Sequence, residues 1–408
     1  MLISNLGKTG GQLERHVPGA LAPRPSAAHR ILLFIILILL STEGCKKSVQ
    51  EKKPEETRTQ LHPPRAAPRL KDSLERAGGY GVWVKGGAFS SPAGSASGQP
   101  LTALVASASF DRVLAAARTS AHEQGFGAKV EVTRPHGRWR LAEIRVTQGG
   151  ETAARCRLVE TPRILRAAIV IDDLGQDLEA ARKLARMPYP LTFSVLPGLA
   201  YSRVTAEEAH RAGREVILHL PMEPDPGAAV KPGRGEITVG MPGAEVERVI
   251  GSDLGSVPFS KGVNNHMGSR ATADARLMRE VMEVLRKRNL FFIDSRTTAS
   301  TAALGAARRA GVPAFFRSVF LDDTETVGYS LGQLRRFRQI VRDRGVALAI
   351  GHPHPTTIQA LAQFIPELER ENIQLIPASE LVRLPEASRL SPPPRPATAV
   401  SLRTDKRF

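Results

Sequence analysis

Two adjacent carboxylates and two separate histidines are the residues of this chain best suited to chemistry. Asp172 and Asp173 follow an apolar run that ends at Ile171, and His219 and His266 each follow another apolar run. Because side chains alternate in direction as a strand ends, one carboxylate can bind a divalent metal while its neighbour stays free as a base. Two histidines, one carboxylate and one open position suit a catalytic zinc or a similar ion. Such an ion lowers the pKa of bound water towards about 7 and polarises a carbonyl.

The elements that must position these residues are apolar runs that read as buried strands. Strands covered on both faces pair in parallel and alternate with helices. In a closed β/α barrel the carboxyl ends of all strands meet at one rim, where active sites are built. The sequence therefore predicts one polar site from the residues that follow the runs, namely Asp172, Asp173, His219, Asn265, His266, Asp294, His352 and His354.

Each of these residues alone has an ordinary alternative. A single loop histidine is most often solvated, and an Asp-Asp pair most often caps the next helix. We expect that capping role for Asp322 and Asp323, which end a further apolar run. The clustering of histidines at strand ends favours a shared site, because only His210 among those beyond residue 165 falls in a helical stretch.

Composition limits the class of protein. The 408 residues carry a formal net charge of +17, which could attract anionic glycans, lipid headgroups or nucleic acid. Nucleic acid is not expected as a partner, because no basic stripe with interleaved aromatic residues is present. The two cysteines, Cys45 and Cys156, cannot form a disulfide framework. Cys156 reads as a small buried hydrophobe in a strand.

The N-terminal region predicts export. Ile31 to Leu40 is an apolar run that is too short for an ordinary membrane span, which needs about 20 residues. Basic residues before it and small residues after it are typical of a secretory signal. Cys45 follows and resembles the lipidated residue of a bacterial lipoprotein, so we expect a protein of the periplasm or one anchored to an envelope membrane by an N-terminal lipid.

Changes in pattern along the chain predict an α/β protein with a small α+β domain before a barrel. Alternating apolar and polar residues indicate an antiparallel sheet in the small domain, and β/α rhythm begins near residue 165. The predicted segments are a signal peptide (1–45), a flexible tether (46–100), a small α+β domain (101–162), a β/α barrel (165–384) and a disordered tail (385–408).

Five motifs in order resemble the divergent polysaccharide deacetylase family, a remote relative of the carbohydrate esterases that remove N-acetyl groups from chitin and peptidoglycan. The resemblance covers residues 165–384. The motifs are Ile171-Asp172-Asp173-Leu174-Gly175, His219-Leu220-Pro221-Met222-Glu223-Pro224, Asn264-Asn265-His266-Met267-Gly268-Ser269, Phe292-Ile293-Asp294-Ser295-Arg296-Thr297 and Gly351-His352-Pro353-His354.

The resemblance implies a distorted seven-stranded β/α barrel with a divalent metal, expected to be Zn²⁺, at the rim. It implies that Asp172 is the general base, that Asp173 binds the metal, and that His352 is the general acid, with His354 close behind it. The implied reaction is hydrolysis of the acetamide of an N-acetylated envelope polysaccharide, peptidoglycan or similar. Asn265, Asp294, Arg296 and His354 are then expected to contact substrate or orient ligands, and Arg296 could instead hold Asp172 charged or form a rim salt bridge.

The remaining metal ligands depart from the pattern of the ordinary esterases. Those enzymes take two histidines from one motif with four-residue spacing, whereas that spacing here holds His219 and Glu223. His266 comes from the next strand end. The expected ligand set is therefore Asp173, His219 and His266, with Glu223 left open.

Two other functions compete with this interpretation. A non-catalytic envelope protein could keep the barrel as a surface for binding a glycan or a partner. A different metal hydrolase, such as a phosphoesterase, would require a denser ligand set and a second metal.

Overall fold

The structure is a computed structural model that describes residues 66–85, 100–137 and 139–392. These residues belong to one compact unit, His62–Phe408. The predicted signal peptide, Cys45 and the first part of the predicted tether lie outside the described residues. Among the helices of the described ranges, none is long and apolar enough to cross a bilayer.

The small domain is a five-stranded sheet with two helices packed on one face. Its strand order is β1-β2-β5-β4-β3, with β2 and β5 parallel and the other neighbours antiparallel. Cys156 is buried in its core, where burial raises the pKa of the thiol to about 12. Its elements are α1 (Ala66–Gly78), β1 (Val82–Val84), β2 (Leu101–Ala106), α2 (Phe110–Glu123), β3 (Gly127–His136), β4 (Trp139–Gln148) and β5 (Glu151–Thr161).

The prediction of a tether over residues 46–100 is wrong for residues 66–85. Leu70 and Leu74 of α1 and Val82 and Val84 of β1 pack into the core of the small domain. Charged residues surround the two leucines of α1, so the apolar stripe spans only one helical turn. The composition of the segment therefore did not indicate a helix that packs into a core. The predicted tail is also wrong at its start, because residues 385–389 form a helix with Ala387 buried.

The barrel begins with a long buried strand and then alternates strands with helices. Its elements are β6 (Leu165–Leu174), α3 (Leu178–Arg186), β7 (Thr192–Val195), α4 (Ser202–Arg211), β8 (Glu215–Met222), α5 (Gly243–Ser256), β9 (Ser260–Met267), α6 (Ala275–Lys287), β10 (Phe291–Asp294), α7 (Ala303–Ala310), β11 (Ala314–Phe316), β12 (Val319–Phe320), α8 (Val327–Arg344), β13 (Val346–Gly351), α9 (Pro355–Arg370), β14 (Ile373–Leu375), α10 (Ala378–Leu381) and α11 (Pro385–Arg389).

All strand pairs of the barrel are parallel, in the order β11-β10-β9-β8-β7-β6-β13-β12. The segment from 314 to 320 closes the barrel, because β11 pairs with β10 while β12, two residues later, pairs with β13. If β11 and β12 are counted as one position, seven strand positions surround the axis. β14 is the distortion, since it pairs with residues 165–167 of β6 below the point where β7 joins. The predicted distorted α/β barrel is confirmed.

Alternation along β6 decides which side chains reach the inside of the barrel. Ile169 and Ile171 pack in the core shared with the surrounding helices, whereas Ala168 and Val170 pack in the interior core. Because the period of a strand is two residues, Asp172 continues the interior series at the carboxyl end. The polar site therefore sits on top of the apolar interior of the barrel.

Candidate metal centre

Interior-facing positions on four adjacent strands form a buried polar network. Asp172 on β6, Ser194 on β7, His219 on β8 and Asn264 on β9 are each at most 3% exposed. Asn264 joins them: its Oδ1 accepts from the Ser194 hydroxyl at 2.6 Å and faces His219 Nδ1 at 2.8 Å, and its Nδ2 donates to Asp172 Oδ1 at 2.7 Å. The amide thereby holds both a carboxylate and an imidazole in place.

This network assigns the tautomer of His219. Since Asn264 Oδ1 can only accept, His219 Nδ1 carries the proton and its Nε2 presents a lone pair. That lone pair faces Asp173 Oδ1 at 3.1 Å and His266 Nδ1 at 3.1 Å, and His266 Nδ1 is 3.0 Å from Asp173 Oδ1. Three ligand-type atoms thus converge on one position.

The three atoms fit a divalent cation better than they fit one another. One proton on His266 Nδ1 could serve only one of its two neighbours, and Asp173 Oδ1 is a buried oxygen without a well-directed hydrogen-bond donor among the described residues. Tetrahedral zinc with ligand bonds of about 2.0–2.1 Å places its ligand atoms about 3.3 Å apart, close to the observed separations. The arrangement therefore suits a metal held by Asp173, His219 and His266.

The electrostatics of the cluster favour positive charge at this position. Burial alone would raise the pKa of Asp173, but the imidazoles of His219 and His266 outweigh it and lower that pKa. Burial would lower the pKa of His219, yet the carboxylates of Asp172 and Asp173 raise it. A field that retains a proton on a buried imidazole also favours a cation in its place.

Left-handed backbone conformations orient residues of the site. Asp173 has φ 56°, Met267, the residue after His266, has φ 53°, and Arg296 has φ 52°. A left-handed conformation is uncommon for residues other than glycine and is concentrated at functional sites. Alternation alone would turn Asp173 towards the helices, so its left-handed backbone is what brings the carboxylate back to the rim. Gly175 at φ 117° then completes the turn beside Leu196 and Ser202.

A second pair, Asp322 and His352, lies next to the metal position. Asp322 Oδ1 is 3.0 Å from His352 Nδ1, and its Oδ2 accepts from the His352 amide at 2.6 Å and the Thr357 hydroxyl at 2.7 Å. Burial would lower the pKa of His352, but the bond to Asp322 and the charges of Asp322, Asp172 and Asp173 raise it to about 9. His352 Nε2 lies 3.6 Å from Asp173 Oδ2, so Asp173 lies between His352 and the candidate cation position.

The match to the family model of the divergent polysaccharide deacetylases spans residues 169–382, which contain the whole of this site. The chain belongs to this family. Its resemblance to the family is therefore confirmed.

Three proteins similar to this chain are described as uncharacterized. YibQ of Escherichia coli K12 is 37% identical over 228 residues, covering 56% of this chain and 70% of YibQ. A protein of Haemophilus influenzae Rd is 37% identical over 218 residues, covering 53% of this chain and 77% of the Haemophilus protein. The crystal structure of ATU2773 from Agrobacterium tumefaciens C58 is 26% identical with a TM-score of 0.52, covering 54% of this chain and 89% of that chain.

Asn265 and Asp294, two residues expected at the substrate, are instead buried parts of the rim. Asn265 Nδ2 donates to the Met267 carbonyl at 2.8 Å, and its Oδ1 accepts from the Ser295 amide at 2.9 Å. Asp294, which is 0% exposed, accepts from the Arg296 amide at 2.8 Å and the Thr301 hydroxyl. Substrate contact by Asn265 and Asp294 does not fit the structure, because their polar atoms already hold the strained loop ends.

The backbone amide of Arg296 donates to Asp294. Burial raises the pKa of the Asp294 carboxyl, and the positive charge of Arg296 opposes that rise. The Arg296 carbonyl accepts from Arg317 at 3.1 Å. A contact of Arg296 with Asp172 or with substrate stays a prediction.

Glu223 and His354 lie at the edge of the site. Glu223 forms an ion pair with Arg270 and accepts from the Val239 amide at 2.6 Å, so both of its oxygens are used and it lies outside the ligand cluster. His354 is partly exposed beside Glu325, with its ring 5.7 Å from that of His352. Of the residues predicted to contact substrate, His354 is the one whose side chain remains accessible.

Sequence reasoning missed three residues of the site. The expected capping role of Asp322 is wrong, because Thr326 caps α8 through the Tyr329 amide while Asp322 binds His352. Asn264 and Ser194 were not assigned a role. One signal existed for Asn264 and Ser194: a polar residue within a buried strand must find a partner.

Proposed function

We propose that this protein is a metal-dependent hydrolase that removes N-acetyl groups from an envelope polysaccharide, peptidoglycan or a similar glycan. The observation that carries the proposal is the convergence of Asp173, His219 and His266 beside two unused proton-transfer groups, Asp172 and His352. Membership of the deacetylase family supports a polysaccharide substrate.

Asp173, His219 and His266 would hold the cation, which we expect to be Zn²⁺ because of its preference for nitrogen and oxygen ligands in tetrahedral sites. A bound ion of this kind would supply Lewis acidity towards water and towards the acetamide oxygen. The chain's own contribution is to hold His219 and Asp172 in fixed positions, through their hydrogen bonds to the buried amide of Asn264.

Asp172 is the proposed general base. Its Oδ1 is held by Asn264 Nδ2, and its Oδ2 remains 3.6 Å from His219 Nε2, close to the ligand cluster. A carboxylate held on one oxygen keeps the other free to accept a proton from water. Asp172 belongs to the interior-facing series of β6, and Asp173, the next residue, has a left-handed backbone. The two carboxylates therefore approach the cation position from different directions.

His352 is the proposed general acid. Asp322 binds Nδ1 and leaves Nε2 directed towards Asp173, so a proton on Nε2 is available to the leaving amine. In the metal-free chain the pKa of His352 is about 9, so the imidazole is protonated at neutral pH. His354, with its exposed ring, would contact the sugar.

We place the enzyme in the bacterial cell envelope, exported through the N-terminal signal and tethered by lipid on Cys45. This location brings the barrel to N-acetylated glycan. Loss of radiolabelled palmitate incorporation in Cys45→Ser would test the anchor.

The test of the activity is acetate release from N-acetylglucosamine tetramer and from peptidoglycan by the Zn²⁺-loaded full chain. Asp172→Asn keeps the shape of the side chain and should lower kcat/KM by about 10²–10⁴-fold, the usual contribution of a proton-transfer group. Asp323→Asn is the matched control, since Asp323 bonds the Tyr329 hydroxyl at 3.2 Å and is not part of the pair with His352.

Metal content at saturating Zn²⁺ should be the same in both variants, because neither substitution removes one of the three proposed ligands. Binding of glycan without acetate release by the wild-type protein would instead support the non-catalytic alternative. Turnover of a phosphodiester panel would support the phosphoesterase.

A further inference from the structure

A cavity lies at the end of the barrel opposite the metal centre, where the small domain meets the amino ends of the strands. Its volume is about 890 Å³, within the range of pockets that hold small organic ligands. The barrel contributes Arg166 at the start of β6, Glu215 at the start of β8 and Gln374 of β14, and the small domain contributes residues of α1 and β1. Arg166 joins the two parts, since its guanidinium donates to the Val82 carbonyl at 3.3 Å.

The buried end of this cavity carries acceptors that have no donors. Glu215 is 5% exposed, and its Oε1 accepts from the Thr192 hydroxyl and the Ser379 amide, each at 3.0 Å. Its Oε2 has no hydrogen-bond partner among the described residues, and the same holds for Gln374 Oε1. Buried acceptors are normally satisfied by protein groups or by bound molecules, so these two oxygens are available to a donor that reaches the buried end of the cavity.

The remaining lining is aromatic and of mixed charge. Trp83, Tyr80 and Tyr189 supply aromatic surface, and the Lys85 ammonium lies 5.6 Å from the centre of the Trp83 ring. Lys71, Lys85 and Arg166 disfavour a cationic ligand, whereas Glu75, Glu215, Glu369 and Glu380 disfavour an anionic one. The ligand that satisfies the unpaired acceptors without adding charge is a neutral molecule rich in hydroxyl or amide N–H groups.

We propose that this cavity binds a short segment of neutral glycan, with its hydroxyl groups donating to Glu215 and Gln374 and its ring faces packed against Trp83 and the tyrosines. Six residues of β6 separate Arg166 from Asp172, which is about 20 Å along a strand. The cavity is therefore a separate site from the metal centre. A glycan held there would be anchored while another part of the polymer reaches the rim.

The chain has two tryptophans, which allows a direct measurement. In a Trp139→Phe background, Trp83 is the single indole, and its fluorescence reports on the cavity. The metal-free full chain is titrated with N-acetylglucosamine tetramer and with the fully de-N-acetylated, cationic tetramer. Saturable change with the neutral oligomer, at least about tenfold tighter than with the cationic one, is expected.

Glu215→Gln is the decisive variant. The amide oxygen of glutamine can keep the bonds to Thr192 and Ser379, while its NH₂ replaces the unpaired acceptor by a donor. Affinity for the neutral oligomer should fall about 10–100-fold, the range expected for loss of a hydrogen bond to a charged group. Glu369→Gln, at the exposed edge of the cavity, changes the same charge and should alter affinity less than about threefold.

Equal affinity in Glu215→Gln and Glu369→Gln, no fluorescence change, or binding of the cationic oligomer alone would each overturn the proposal. Asp173→Ala should bind the oligomer in the cavity as the parent does, and loss of the signal in that variant would place the binding at the rim. Failure here would leave the acetate-release assay unaffected, so the two proposals are tested separately.

Discussion

Replacement of Asp322 by asparagine tests the central electrostatic claim about the site. Asp322 has a fully buried side chain, and it binds both the ring and the backbone of His352. Asparagine keeps one carbonyl acceptor in the same volume but removes the negative charge. We therefore expect His352 to stay in place and to lose its proton at lower pH.

The magnitude follows from the distance. An opposite charge in contact shifts a pKa by about 1–3 pH units, so the pKa of His352 should fall from about 9 by about 2 units in Asp322→Asn. Since one unit corresponds to about 1.4 kcal/mol, the variant loses about 3 kcal/mol of pH-dependent stability. The His352 side chain is 19% exposed, so solvent screening reduces this figure only modestly.

The pH dependence has a defined sign. The folded pKa of His352 lies above the unfolded value of about 6.5, so the wild-type pair contributes fully below pH 6.5 and its contribution is lost as the pH rises through about 9. The difference in free energy of unfolding between wild type and Asp322→Asn should therefore be largest near pH 6 and should shrink towards pH 9.

Denaturant unfolding of the metal-free chain across this range, with the ¹H–¹³C resonances of His352 followed by NMR, measures both quantities. Asp323→Asn is the control, because it removes a neighbouring charge without touching His352. An unchanged His352 pKa in Asp322→Asn would refute the reasoning, as would a stability difference that stays constant between pH 6 and 9.

Three further outcomes follow from the structure. Asp173→Ala and His266→Ala should each weaken metal binding by more than about 100-fold in a competition assay with a chromophoric chelator, since each removes one of three ligands. If either variant keeps its metal affinity, the substituted residue is not a ligand. Glu223→Gln should bind metal within about threefold of wild type, because its oxygens are used by Arg270 and a backbone amide; a tenfold loss would make it a ligand. Leu74→Ala, at a fully buried position of α1, should lower the free energy of unfolding by about 2–5 kcal/mol, and an unchanged denaturation midpoint would place α1 outside the folded core.

The barrel was readable from the sequence because its strands are buried on both faces. Residues 346–350, for example, are continuously apolar, and the rim residue His352 follows them after one glycine. Helix α1 shows the limit of the same reasoning. Its two core leucines sit among Arg, Lys, Glu and Asp, so composition pointed to a tether while packing against the sheet made a helix.

Within the site, residue types indicated the ligands but could not show how they are held. Asp173 belongs to the helix-facing register of β6 by simple alternation, and only its left-handed backbone turns it to the rim. The role of Asp322 depends on the pairing of β12 with β13. This pairing places Asp322 beside His352, which is 30 residues away in the sequence. Asp294 and Asn265 have side chains suited to binding sugar hydroxyls, but they lie beneath the rim. There they accept hydrogen bonds from backbone amides.

The alternation of strands and helices and the polar residues at the strand ends could be predicted from the amino-acid sequence, since they follow from local periodicity and residue type. The family was indicated by the resemblance of five motifs. Only the folded structure shows which of those residues share a position, which of them bond to backbone groups, and where the cavity beside Glu215 forms. The reason is physical: hydrogen-bond saturation, left-handed turns and the meeting of two domains depend on segments distant in the chain, and no local pattern records them.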